Sequence, residues 1–95
     1  MKPFRWSPEK NDLLKSTRGL SFEEITVAVE NGALIEIVSH PNPSKYPQQK
    51  IMVVEVAGYA CLVPYVEEED HYFLKTIIPS RKATRVFIGK KSDDV

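Results

Sequence analysis

Cysteine is nearly absent from this chain. Cys61 stands alone, which excludes an intrachain disulfide and a cysteine zinc site. It sits in the apolar run Ala60-Cys61-Leu62-Val63, so a buried, inert thiol is expected. Histidine is scarce too. His40 and His71 have neither a histidine partner nor a carboxylate pair at metal-ligand spacing. No apolar run approaches the ~20 residues of a membrane helix, and Met1 to Trp6 lacks an apolar signal core. There is no glycine-rich phosphate loop, nucleophile elbow or two-carboxylate signature. These absences set the expectation of a cytoplasmic protein that needs no metal and no cofactor.

Net charge is also missing, but only as a sum. Lys and Arg balance Asp and Glu at 13 each. From Ile51 to Asp70 every charge is negative: Glu55, Glu67, Glu68, Glu69 and Asp70. From His71 to Lys91 every charge is positive: Lys75, Arg81, Lys82, Arg85, Lys90 and Lys91. A neutral total therefore leaves room for local attraction to an anion. At 42% apolar and 27% charged, the chain reads as globular. Its length fits one domain, 1–95, with a modest core and a frayed end over 90–95.

Local signals mark the elements. Lys2 to Trp6 reads as extended. Ser7-Pro8-Glu9 places a cap, a first-turn proline and an acid at a helix start. That helix runs to about Arg18, with Gly19 as its left-handed stop. Ser21-Phe22-Glu23-Glu24 fits a capping box. Phe22, Ile25, Ala28 and Val29 then share one face, and Asn31-Gly32 ends the helix. Strands are expected at Ala33 to Ser39, Lys50 to Ala57, Ala60 to Glu67 and His71 to Ile78. Gly58-Tyr59 suggests a tight hairpin. Pro64 calls for a bulge or an edge. Ser80 can cap a last helix to about Ile88, with Gly89 as stop. The expected fold is α+β: two N-terminal helices on a four-stranded antiparallel sheet, then a short C-terminal helix. The sheet face away from the helices is left partly open as a binding surface.

The last helix carries the main chemical signal. At about 100° per residue, Arg81, Arg85 and Lys82 fall on one side, with Ala83 and Phe87 opposite. Lys75 precedes them on the last strand. Such a cluster is suited to a phosphate backbone, and equally to a solvated amphipathic face. His71, beside the acidic turn Glu68 to Asp70, is a candidate acid or base, against an ordinary turn residue. On strand parity it shares a face with Phe73, Lys75 and Ile77. Tyr46, Tyr59, Tyr65 and Tyr72 can stack on bases, but packing is their default role.

Phe4-x-Trp6-x-x-x-Lys10, Gly19-x-Ser21-Phe22-Glu23-Glu24 and Ile77-Ile78-x-x-Arg81-x-Ala83 together resemble the BrnT toxins. These are the toxin halves of bacterial type II toxin–antitoxin pairs, within the wider RelE-type ribonuclease group. The resemblance spans nearly the whole chain. It implies a small α+β ribonuclease that cleaves RNA without a metal. It also implies a cognate antitoxin that covers the active face, with operator DNA bound through that antitoxin. By position it points to Arg81 first, and to Trp6 and Lys10. Four positions depart from the family pattern: Ser7 for an acid, Leu14 for an asparagine, Arg18 for a histidine, and Thr76 for a basic residue.

The expected reaction is attack by the RNA 2′-hydroxyl on the adjacent phosphate. Arg81 would stabilise the added negative charge. Lys75, Lys82 and Arg85 would position the backbone. His71 and Lys10 are the candidates for proton transfer. The rival reading is a catalytically degenerate module of the same fold that binds protein or nucleic acid. The departures favour it, because the missing groups are polar.

Overall fold

A computed structural model describes residues 1–89. The elements run β1 (Phe4–Trp6), α1 (Pro8–Arg18), α2 (Phe22–Glu30), β2 (Leu34–Ser39), β3 (Gln49–Val56), β4 (Tyr59–Glu67), β5 (Tyr72–Leu74), β6 (Ile78–Pro79) and α3 (Arg81–Phe87). The expected frayed end falls outside the described residues.

The helix boundaries follow from their caps. Ser7 Oγ accepts the Lys10 amide, Pro8 opens α1, and Gly19 closes it at φ 65°. Ser21 and Glu24 form a reciprocal capping box at the start of α2, which satisfies two backbone donors that a helix start leaves unpaired. The β3–β4 turn is Ala57-Gly58, one residue earlier than expected, with φ of 53° and 80°. Two positive φ values match the right-handed twist of the strands they join.

The sheet is mixed and has six strands, which corrects the expected four-stranded antiparallel arrangement. Its order is β1-β5-β4-β3-β2, with β6 also paired to β4. β1 lies parallel to β5, with Phe4 opposite Tyr72 and Trp6 opposite Leu74. The alternation Phe4-Arg5-Trp6 drives this addition. It turns two aromatics towards the core and one cation to solvent. Lys2 ties the strand down, donating to Glu67 Oε2 at 3.1 Å and to the Glu68 carbonyl at 2.7 Å.

The expected strand from His71 to Ile78 is broken in two. Between β5 and β6 the chain leaves the ladder at Lys75 to Ile77. Ile77 turns into the core beside Leu14 and Leu74, so it does not share the face of His71, Phe73 and Lys75. Pro64 explains where the break falls. It pairs in register with Ile51 of β3, but on its other side the three steps of β4 from Tyr65 to Leu62 face four from Leu74 to Ile78, the one extra residue of the expected bulge. The Pro64 carbonyl accepts the Lys75 amide at 2.8 Å, so its donorless nitrogen faces the same side, towards the β5–β6 interval. A proline cannot donate to a ladder strand there.

Two cores form, one on each sheet face. Leu14, Phe22 and Ile25 of the N-terminal helices pack on Met52, Val54, Cys61, Val63, Tyr65 and Leu74. Trp6 stacks on Phe22 with ring centroids 5.6 Å apart. Each such fully buried side chain contributes about 1.5–3 kcal/mol. On the opposite face Ala83 packs on Val53 and Ala60, flanked by Leu62, Phe87 and Ile88. Alternate residues of β3 thus serve opposite layers. The face expected to stay open is partly roofed by α3 itself.

Candidate nucleic-acid interface

α3 is fixed to the sheet by short polar contacts at its start. Ser80 Oγ accepts the Ala83 amide at 3.0 Å. The Ser80 amide donates to the Ala60 carbonyl at 3.0 Å. Thr84 Oγ1 accepts the Ala60 amide at 2.9 Å and donates to the Ser80 carbonyl at 2.7 Å. Ala83 is buried beneath the helix, whereas Arg81, Lys82 and Arg85 are exposed. Gly89 follows without a left-handed turn. Its amide reaches the Thr84 carbonyl at 2.6 Å, and an added Cβ would stand 2.8 Å from the Arg85 backbone. Glycine is needed here for space.

The three cations of α3 form no ion pair with a carboxylate among the described residues. Other lysines differ. Lys2 and Lys50 flank Glu67 at 3.1 and 3.6 Å, and Lys15 lies 3.9 Å from Glu23. The Lys2 hydrogen bond holds the Glu67 carboxyl below its ordinary range, with the charges of Lys2 and Lys50 adding to it. The acids of the β4–β5 turn are therefore partly occupied locally. They also lie far from α3. Glu67 is opposite Tyr72, while Ser80 meets Ala60 seven residues along β4. At ~3.3 Å per residue that is roughly 23 Å.

The same measure separates the candidate site residues. His71 stands at the acidic end, its Nδ1 2.7 Å from Asp70 Oδ1. That hydrogen bond lowers the Asp70 carboxyl. Lys10 lies in the first turn of α1, on the helical layer opposite α3. The structure therefore gathers Arg81, Lys82 and Arg85 on one short helix. Lys75 is exposed at the nearby strand break. His71 and Lys10 do not join them.

In the sequence Arg18 was visible as the last residue of the first helix. The fold gives it a place. It ends α1, and its Nη1 donates to the Ile77 carbonyl at 2.6 Å. That carbonyl lies in the β5–β6 break, four residues before Arg81. The local signal was only a basic residue in a last helical turn. Its partner across 59 residues could not be read locally.

Among the described residues no three His, Cys, Asp or Glu side chains gather where a metal could sit. No described helix is long and apolar enough to cross a membrane. No protein-family model, curated protein or solved structure matches the chain.

Proposed function

We propose that this protein is a BrnT-like toxin-type module that grips RNA through α3. One observation carries the reading: Arg81, Lys82 and Arg85 point outward together with no carboxylate bonded to them among the described residues. Exposed cations with no carboxylate bonded to them release the counterions of a phosphate backbone. The planar fork of Arg81 suits two oxygens of one phosphate. A cognate antitoxin is the protein partner on this reading, reaching operator DNA on the toxin's behalf.

Cleavage of the bound RNA would form a bond from the 2′-oxygen to phosphorus and break the bond to the 5′-oxygen. One proton leaves the 2′-hydroxyl, and one is given to the departing oxygen. Arg81 would stabilise the charge between these events, with no metal needed for the transfer. The second reading, binding without turnover, is favoured by a specific observation. His71 and Lys10 stand apart from the Arg81 cluster and offer no proton path there.

Binding and cutting of a labelled single-stranded RNA distinguish the two. Arg81→Ala, Lys82→Ala and Arg85→Ala should each weaken binding and reduce its salt slope by about 0.7. If the wild-type protein also cuts, Arg81→Ala should slow cutting at least ~10²-fold. Host growth arrest, relieved by the partner, should accompany cutting. Binding without cutting leaves the degenerate module standing. RNA affinity unchanged in the triple variant removes both readings.

A further inference from the structure

The geometry points to a second recognition site, a docking cleft for a cationic partner segment with an apolar anchor, between α2 and the β3–β4 turn. It does not rest on the RNA reading. The cleft is a shallow, open depression of about 470 Å³, a shape suited to a partner's side chains more than to an enclosed small molecule. It is lined by Val27, Ala28, Asn31, Ala33, Val56 and Ala57, with Glu23 and Glu24 of α2 along one side; Glu55 borders it from β3, where it stands opposite Ala60 of the α3 face. No Lys, Arg or His lines it.

Val27 shows why the floor is unusual. α2 buries Phe22 and Ile25 completely, yet leaves Val27 54% exposed. Ala57 adds a methyl at a backbone φ of 53°, a left-handed conformation that residues with a Cβ adopt only at a cost. The rim acids are anchored. Glu24 is held by the Ser21 amide at 3.0 Å, and Glu23 accepts from Asn11 at 2.8 Å. Lys15 reaches only 3.9 Å from Glu23, and both side chains are more than half exposed, so it offsets little of the rim charge.

An apolar floor beside the two carboxylates of Glu23 and Glu24 selects its occupant by charge. An anionic or purely polar segment leaves the floor wet and meets repulsion. A segment with one or two large apolar side chains between lysines or arginines fills the floor and pairs with the rim. Burying the anchor supplies affinity, while the rim supplies orientation and salt dependence.

The test uses the full chain, isotopically labelled, and a short helical peptide with a leucine pair flanked by lysines. Amide shifts should centre on Val27, Ala28, Ala33, Val56 and Ala57. Affinity should fall as salt rises. Val27→Asp, a change at an exposed position, should weaken binding at least about tenfold while the thermal unfolding midpoint stays unchanged. Replacing the flanking lysines by glutamates should do the same. The variant lacking Arg81, Lys82 and Arg85 should bind the peptide normally, so failure of the RNA reading leaves this one intact. Equal binding of both peptides, or shifts centred elsewhere, overturns the proposal. So does self-association, seen by sedimentation, that seats the α3 face of a second copy in the cleft in preference to the peptide.

Discussion

Thr84 Oγ1 accepts the backbone amide of Ala60 at 2.9 Å, and this contact sets how α3 sits on the sheet. Ala60 is fully buried, so no water can replace the hydroxyl. The same oxygen donates to the Ser80 carbonyl, joining the helix start to β4.

Thr84→Val keeps the shape and removes the acceptor. It should cost about 1–3 kcal/mol of stability, the penalty for a buried unpaired amide. Urea unfolding measures this. RNA affinity should fall with it, because the cations ride on the helix that the hydroxyl anchors. Unchanged stability would mean that the Ala60 amide has another partner.

Asn11 plays a similar part between the two N-terminal helices. It is 4% exposed. Its Oδ1 accepts the Phe22 amide and its Nδ2 donates to Glu23, each at 2.8 Å. Asn11→Ala should lose about 1–3 kcal/mol in the same assay. Asn11→Asp retains an acceptor but sets a carboxylate against Glu23, so it should fall below wild type at neutral pH and recover in acid. RNA binding should not change in either variant at temperatures below unfolding, since both lie on the other layer from α3.

Acid should weaken the fold through the β4–β5 end. Glu67 and Asp70 both have lowered carboxyl pKa values in the folded state, set first by hydrogen bonds from Lys2 and His71. A lowered folded pKa means that the unfolded chain binds protons more readily. The stabilisation is therefore present above the ordinary carboxylate pKa of about 4. It is lost as pH falls through the lowered folded values. Melting midpoints should drop across that acid window. Lys2→Met should flatten the drop by removing the main cause at Glu67. The Asp70 side chain is exposed and that of Glu67 partly so, so added salt should shrink the effect, more at Asp70 than at Glu67.

Cys61 should resist thiol reagents until the protein unfolds. Burial in the core pushes its thiol pKa up, and the Glu24 charge acts in the same direction. Only the thiolate attacks such reagents. A spectroscopic thiol titration should find it inert at neutral pH and reactive in denaturant. Rapid labelling of the native protein would mean that the core opens locally around β4.

Much of the candidate surface was legible because it is local. Arg81, Lys82 and Arg85 occupy one side of a single short helix, and helical period alone separates them from Ala83 and Phe87. The proposed acid–base partners were not legible in that way. His71 follows an acidic turn and Lys10 follows a helix cap, and neither pattern carries information about distance to Arg81. The strand break at Lys75 to Ile77 was also hidden. Its cause is Pro64 on the neighbouring strand, which acts through a missing hydrogen bond in a ladder that exists only after pairing.

By itself the amino-acid order determined where helices start and stop, because caps such as Ser7, Ser21 and Ser80 bond amides three residues away. It also determined that Cys61 would lie inside, through its apolar neighbours. Tertiary structure alone decided that β1 would run parallel to β5, that α3 would roof the far sheet face, and that Arg18 would reach Ile77. Those outcomes depend on which distant surfaces meet. That choice is made by burying the most apolar area with every backbone group paired, a condition on the whole chain at once.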